Sequence, residues 1–303
     1  MNFNFPKPLQ KGDTIAVIST ARKVSLDEVF FGIQWIKKLG FKVFIGKTIG
    51  LVHHQFAGMD IDRANDLQLM IDNPEVKAIW CARGGYGTVR IIDQIDFLAL
   101  QQNPKWLIGY SDITVLHSHL HNFNIPTIHA PMAFDIKKAT IEAQTSLANA
   151  LLGKENNISF PTSEANKKGQ SSGIATGGNL SILYSLCGSK SAIDTKGKIL
   201  FLEDLDEYLY HIDRMLQNLN RNGIFKDLSG LVIGGMSTMH DNTIPFGFNV
   251  KKMILDITAK YNYPVAFDAP FGHITDNRAV IFGRKLKLVV NDRTTVITNK
   301  SFT

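Results

Sequence analysis

Short apolar runs alternate with helical patterns through the first half of the chain, and this alternation restricts the fold more than any other feature. Buried strands are predicted at residues 14–18, 41–45, 76–81 and 106–109. Helical patterns lie between them, for example at residues 60–72. Apolar strands separated by helices are typical of a parallel sheet that is covered on both faces. The predicted fold class is therefore α/β.

A polar stretch rich in Lys, Asn, Ser and Gly follows Leu152 and predicts a division of the chain. We expect an N-terminal parallel-sheet α/β domain at residues 1–152, a linker at 153–173 and a smaller C-terminal domain at 174–303. Short β runs follow the helices of the second half. The C-terminal domain is therefore predicted to be mixed α/β and rich in strands.

The composition indicates a globular protein, because 44% of the residues are hydrophobic and 20% are charged. The net charge is +6, but the lysines are scattered, which argues against nucleic-acid binding and suits a small acidic substrate. No apolar run is long enough to span a membrane, and residues 1–10 lack the apolar core of a signal peptide. With only two cysteines and no CxxC pair, we expect a cytoplasmic protein.

Ser111 stands where a predicted strand runs straight into a predicted helix, two residues after Gly109. Such a turn lifts its central side chain clear of the sheet, beside a helix N-terminus, as in a nucleophile elbow. Ile113 occupies the place of the second glycine in the G-x-S-x-G pattern. A serine in such a turn can also merely cap the helix. The turn by itself leaves both interpretations open.

A glycine-rich loop at residues 82–88 follows the predicted strand 76–81 and precedes a predicted helix at residues 89–95. Its backbone N–H groups can bind an anion next to a helix N-terminus, although neither a P-loop nor a GxGxxG pattern is present. The same groups can serve as oxyanion-hole donors for acyl transfer. A tight turn without a binding role is the third interpretation.

A nucleophilic serine needs a base and an acidic group that orients the base. His273 is a candidate base, because it follows Gly272 in a predicted loop and is free to project from it. Glu203 is a candidate acid, because it ends an apolar strand. A core or capping role for His273 stays open. His117 and His121 share one helix face but lack a third ligand, so a metal site is disfavoured.

Five motifs together resemble the LD-carboxypeptidases, the murein tetrapeptide carboxypeptidases, over nearly the whole chain. In chain order they are Arg83-Gly84-Gly85-Tyr86-Gly87, Gly109-Tyr110-Ser111-Asp112, Gly177-Gly178-Asn179-Leu180, Phe201-Leu202-Glu203-Asp204 and Gly272-His273. Each motif is weak singly, but the ordered set is specific.

The resemblance implies a catalytic triad of Ser111, Glu203 and His273, with an oxyanion hole made by the backbone N–H groups of Gly85 and Asp112. It implies that the enzyme removes the terminal D-alanine from murein tetrapeptide by cleaving an L–D peptide bond, through an acyl-enzyme on Ser111, in cell-wall recycling. It also implies a homodimer that needs no metal and no cofactor.

Two further side chains are candidate substrate ligands. Arg83 can clamp the terminal carboxylate of a muropeptide, or it can only brace its own turn. Asn179 can contact the substrate, or it can only cap the helix that follows it.

Three other hypotheses stay open on the sequence. The first is that the chain is similar to a related branch of the family, which hydrolyses peptidyl-nucleotide antibiotics of the microcin type and confers self-immunity. A non-catalytic two-domain module would use the 82–88 loop to grip an anion. A nucleophilic Cys81 is disfavoured, because Cys81 lies inside a predicted strand and has no adjacent histidine in the sequence.

Overall fold

A computed structural model describes residues 3–299 and confirms the predicted α/β class. The first two residues of the predicted N-terminal domain (1–2) and the last four of the predicted C-terminal domain (300–303) lie outside the described residues. In the first half, the strands are β1 (Thr14–Ile18), β2 (Lys42–Ile45), β3 (Val76–Cys81), β4 (Trp106–Gly109) and β5 (Thr127–His129). The helices there are α1 (Leu26–Lys38), α2 (Asp60–Asp72), α3 (Leu98–Gln102), α4 (Thr114–His121) and α5 (Ile141–Leu151).

The second half contributes more strands than helices, as predicted. Its strands are β6 (Ile158–Pro161), β7 (Gly169–Asn179), β8 (Lys198–Leu205), β9 (Gly230–Ser237), β10 (Val265–Ala266), β11 (Val280–Phe282), β12 (Lys285–Val290) and β13 (Thr294–Asn299). Its helices are α6 (Leu180–Leu186), α7 (Leu209–Arg221) and α8 (Val250–Thr258). Among the helices of residues 3–299, none has the length and apolar character that a membrane span requires.

The strands form two sheets. The first has the order β2-β1-β3-β4-β5-β11, and all of its pairs are parallel except β11 with β5. The second has the order β10-β9-β8-β7-β12-β13-β6. The three pairs among β10, β9, β8 and β7 are parallel, and the three pairs from β7 through β12 and β13 to β6 are antiparallel. Because β11 belongs to the second half of the chain, the first sheet combines five strands of the first half with one strand of the second half.

Side chains on the two faces of β1 belong to different apolar clusters, which explains its continuous apolar sequence. Ala16 and Ile18 pack on one face of the sheet, and Ile15 and Val17 pack on the other. Successive strand residues point to opposite faces, so a strand covered on both sides needs apolar residues at every position. The second sheet is also covered on both faces, by clusters that contain Leu200 and Phe201 respectively.

Two segments differ from the sequence-based expectation. The predicted helix at residues 89–95 is a pair of short 3-10 helices, Thr88–Arg90 and Ile92–Gln94. Its β-branched residues have low helix propensity, which accounts for the short turns. The predicted linker at residues 153–173 contains β6 and the start of β7. The division into domains at residues 152 and 174 stays a prediction.

Candidate active site

The turn after β4 holds Ser111 in a left-handed backbone conformation, with a φ of 62°. A 3-10 helix, Ser111–Ile113, joins the turn to α4. A Cβ on Gly109 would lie 2.8 Å from Cγ1 of Ile113, so the close approach across the turn requires glycine at position 109. Ile113 is fully buried and occupies the inside of the turn. The turn thus accommodates isoleucine where the elbow pattern has its second glycine.

Ser111, His273 and Glu203 are joined by hydrogen bonds, although they lie far apart in the sequence. The Oγ of Ser111 lies 3.1 Å from Nε2 of His273, and Nδ1 of His273 lies 2.6 Å from Oε2 of Glu203. The Glu203 oxygen also accepts the backbone N–H of His273 at 3.2 Å. Because a carboxylate only accepts, Nδ1 carries the proton, and Nε2 is the atom that can take a proton from Ser111.

Gly272 allows the loop of His273 to lie directly against Glu203. Its φ is 92°, and a Cβ at this position would lie 2.6 Å from Oε2 of Glu203. The Glu203 side chain is completely buried, and its Oε1 has no partner within residues 3–299. A buried carboxylate in contact with one imidazole holds that ring in a fixed orientation.

Opposing effects act on the histidine. Burial lowers the pKa of His273, but the charge of Glu203 and its hydrogen bond raise it, and the net pKa lies above 6.5. Next to Glu203, burial and the neighbouring carboxylate raise the pKa of Asp204 to about 7.

The glycine-rich loop lies against the serine. A Cβ on Gly84 would lie 3.2 Å from Oγ of Ser111. Gly85 has a φ of 104°, and its N–H makes no hydrogen bond within the described residues. Carboxylate Oδ2 of Asp112 accepts the N–H of Thr88 at 2.8 Å, so the loop and the turn are tied together. Backbone donors in this position are suited to an oxyanion.

A buried arginine fixes the far end of this loop. Nη1 of Arg63 donates to the carbonyl oxygens of Thr20 at 2.7 Å and Gly87 at 2.9 Å. Arg63 also pairs with Asp60. Arg63 could not be predicted from the sequence, because an arginine on a helix is usually exposed to solvent.

The two candidate substrate ligands have partners within the protein. Arg83 pairs with Glu28 at 3.2 Å, and its guanidinium lies 4.4 Å from the ring centre of Phe134. Oδ1 of Asn179 accepts the N–H of Ile182 at 3.1 Å, which caps α6. Asn179 therefore caps α6, whereas Arg83, within residues 3–299, contacts α1 and Phe134 and not its own turn. A substrate-binding role for either residue stays a prediction.

Asn179 also connects the halves of the chain. Its Nδ2 donates to Oδ1 of Asp204 at 3.0 Å, and its backbone N–H donates to Oγ1 of Thr114 at 3.0 Å. Thr114 begins α4, directly after the turn of Ser111, and Asp204 follows Glu203 in β8. The elements that carry the serine and the glutamate are therefore linked through one side chain and its backbone.

The remaining candidates lie in the core. His117 bonds Thr127 through Nδ1 and the carbonyl oxygen of Gly109 through Nε2, and burial lowers the pKa of His117 to about 4. Burial raises the pKa of the Cys81 thiol to about 12, so Cys81 is not a thiolate nucleophile. No group of three or more His, Cys, Asp or Glu side chains within residues 3–299 is arranged to hold a metal ion.

Two different family models match the two halves of the chain. A family model described as LD-carboxypeptidase N-terminal domain matches residues 15–130. A model described as LD-carboxypeptidase C-terminal domain matches residues 172–288.

Individual relatives are similar over most of the chain. The probable murein peptide carboxypeptidase of Bacillus subtilis is 35% identical, and the alignment covers 96% of this chain and 93% of that protein. The crystal structure of muramoyltetrapeptide carboxypeptidase from Oxalobacter formigenes superposes with a TM-score of 0.86 at 27% identity, covering 96% of this chain and 100% of that one. The microcin C7 self-immunity protein MccF of Escherichia coli is 26% identical, over 75% of this chain and 76% of that protein.

Proposed function

The chain belongs to the LD-carboxypeptidase family and is a serine-type carboxypeptidase, and on that premise we propose that it removes the terminal D-alanine from murein tetrapeptide by cleaving an L–D peptide bond. The observation that carries this proposal is the hydrogen-bonded series from Ser111 through His273 to Glu203. The relatives named as murein peptide and muramoyltetrapeptide carboxypeptidases support the choice of substrate.

The first half of the proposed reaction forms an acyl-enzyme. His273 takes the proton of the Ser111 hydroxyl, while Glu203 stabilises the imidazolium that forms. Oγ of Ser111 attacks the carbonyl carbon before the terminal D-alanine. The N–H groups of Gly85 and Asp112 bind the oxyanion of the tetrahedral intermediate. Nε2 of His273 then protonates the leaving amine, and D-alanine departs.

The second half consumes water. His273 removes a proton from a water molecule, which attacks the acyl carbonyl, and the same backbone donors bind the second oxyanion. Collapse of this intermediate returns the proton to Ser111 and releases the shortened peptide. No step requires a cofactor.

The test is release of D-alanine from purified murein tetrapeptide. We expect the wild-type protein to release D-alanine, and Ser111→Ala to lower kcat on the order of 10⁴-fold or more. A tetrapeptide that ends in L-alanine is the substrate control. Full activity of both Ser111→Ala and His273→Ala would contradict the triad.

A second candidate function is hydrolysis of a peptidyl-nucleotide antibiotic, and the similarity to MccF of Escherichia coli favours it. The same serine chemistry would then cleave the peptidyl-nucleotide instead of releasing D-alanine from a muropeptide. Parallel assays with murein tetrapeptide and a peptidyl-adenylate separate the two functions by the ratio of their kcat/KM values.

The proposed substrate suggests a setting. We propose that the enzyme acts in the cytoplasm, on muropeptides returned from cell-wall turnover, and that it forms a homodimer. Light scattering during size-exclusion chromatography measures the mass, and a monomer mass at assay concentration would contradict the dimer.

A further inference from the structure

A cavity of about 320 Å³ opens beside His273. One wall is formed by Tyr110 and by residues that follow β5, including Asp135 and Lys138. The other wall is formed by the loop of His273 and includes Asn277. The two walls are joined by the N–H of residue 140, which donates to the carbonyl oxygen of residue 275 at 3.1 Å. The cavity therefore adjoins the proposed base and is lined by both halves of the chain.

Lys138 brings an unpaired positive charge to this cavity. Its ammonium group makes no ion pair and no hydrogen bond within residues 3–299. The adjacent Lys137 differs, because its ammonium lies 4.5 Å from the ring centre of Phe31. Of these two neighbouring lysines, Lys138 is the one that lines the cavity and is available to an anion.

Asn277 brings a buried donor to the same cavity. Only 2% of the residue is exposed, and its Oδ1 accepts the N–H of Gly272 at 2.9 Å. This bond identifies the amide oxygen, so Nδ2 is the donor that remains on this side chain. Nδ2 has no partner within the described part of the chain. A buried donor without a partner is unfavourable, and a hydrogen bond to a ligand oxygen would remove that penalty.

The chemistry of the leaving group requires an anion site near His273. The histidine must donate its proton to the leaving nitrogen, so that nitrogen lies within hydrogen-bond distance of Nε2. In a terminal amino acid, the carboxylate carbon is two bonds from this nitrogen. The carboxylate must therefore lie within a few bond lengths of His273. Arg83 pairs with Glu28, whereas Lys138 has no such partner.

We propose that Lys138 and Asn277 bind the α-carboxylate of the terminal D-amino acid and hold it beside His273. This inference rests on the proposed carboxypeptidase function and names the residues that restrict it to chain ends. Asp135 also lines the cavity, and its Oδ2 accepts the N–H of Met132 at 3.2 Å, so Lys138 supplies the positive charge of this wall.

The test measures kcat/KM of the wild-type enzyme and of each variant on two substrates. One substrate is the tetrapeptide that ends in D-alanine, and the other is the same peptide ending in D-alaninamide, which lacks the negative charge. We expect the wild-type enzyme to prefer the carboxylate by about 10- to 100-fold in kcat/KM. Lys138→Ala should lose most of this preference, mainly through a higher KM, and should change little on the amide.

Matched variants separate binding from a structural role. Asn277→Asp keeps the acceptor for Gly272 but replaces the donor with a carboxylate, so it should also lower the preference. Lys137→Ala should behave as the wild type. An equal loss on both substrates in Lys138→Ala, or loss of the preference in Arg83→Ala instead, would overturn the inference.

The two proposals fail in different ways. If the wild-type enzyme releases nothing from either tetrapeptide, the proposed function fails and this inference fails with it. If the wild type releases D-alanine and Lys138→Ala keeps the full preference for the carboxylate, only the assignment of Lys138 and Asn277 is wrong.

Discussion

Ser111 carries its hydroxyl on a backbone conformation that favours glycine over every other residue. A non-glycine residue in the left-handed region costs roughly 1–2 kcal/mol, and it persists only where the surroundings enforce it. Here the strand before the serine and the helix after it leave no room for a wider turn. The serine is thus held at a cost in stability.

A comparison of two variants that lack the hydroxyl measures this cost. Ser111→Ala and Ser111→Gly share the left-handed backbone, but only alanine has a Cβ that makes this conformation unfavourable. We expect the free energy of unfolding of Ser111→Gly to exceed that of Ser111→Ala by about 1 kcal/mol. Denaturant unfolding of both variants checks this difference, and a less stable glycine variant would contradict it.

The pKa of His273 depends on the balance between its burial and the charge of Glu203. A base must be neutral, so kcat/KM should fall as the pH drops through a pKa above 6.5. Glu203→Gln removes the charge that raises this pKa and leaves the burial that lowers it. We expect the His273 pKa of the variant to lie below that of the wild type, as measured by NMR titration of the ring protons. An unchanged or higher pKa would show that Glu203 is not the cause.

At the residue scale, the sequence predicts a projecting side chain where the local sequence context of that side chain is exceptional. Ser111 follows a strand-ending glycine and His273 follows Gly272, so both were predictable as projecting groups. Arg83 was harder, because the Glu28 and Phe134 that pair with it are distant in sequence. Asn277 gave no signal, because its significance lies in an amide nitrogen left without a partner.

Among the elements, the loop between β10 and β11 holds His273, the proposed base, against Glu203 through a single glycine. Alanine at position 272 would have the unfavourable φ of 92° and would also collide with Glu203. Gly247 offers a matched control, because its φ is 89° and a Cβ there meets nothing within 4 Å. We expect Gly272→Ala to lower kcat by at least about 100-fold, because small displacements of a catalytic group are costly. Gly247→Ala should keep nearly full activity.

Steady-state kinetics and thermal unfolding of both variants decide this prediction. Both variants share the backbone cost, but Gly272→Ala should lose more stability than Gly247→Ala, because only its Cβ collides with Glu203. Similar losses of activity in Gly272→Ala and Gly247→Ala would contradict this prediction, because backbone strain alone would then explain the loss without the contact between residue 272 and Glu203.

The elements themselves were predictable to the extent that burial decided them. β1 and β3 are apolar because both faces of the sheet are covered, and the sequence shows this directly. β6 was missed, because only Ile158 and Phe160 of its four residues face the core, and polar segments surround it. Its place is decided by pairing with β13, more than a hundred residues later, which no local pattern reveals.

At the scale of the whole molecule, the two halves are held together by more than the chain between them. β11 completes the first sheet by pairing with β5, and the N–H of Ala279 donates to Oγ of Ser146 at 2.8 Å. Phe282 of β11 is buried in an apolar cluster with Phe201 of the second sheet. The halves therefore share core residues.

A protease site inserted between Lys154 and Glu155, in the segment between α5 and β6, tests this sharing. We expect the two fragments to co-elute in native size-exclusion chromatography after cleavage, because the strand pairing and the common core are retained. They should separate in guanidinium chloride. Separate elution in native buffer would contradict the prediction and would favour independent halves.

The chain order of the site has a consequence for biosynthesis. The strand and turn that carry Ser111 leave the ribosome before His273, which lies 162 residues later in the chain, and before β11. Until these later residues are made, the first sheet lacks its edge strand and the serine lacks its proposed base. The order of synthesis thus keeps the nascent chain from acting as a peptidase until His273 has been made.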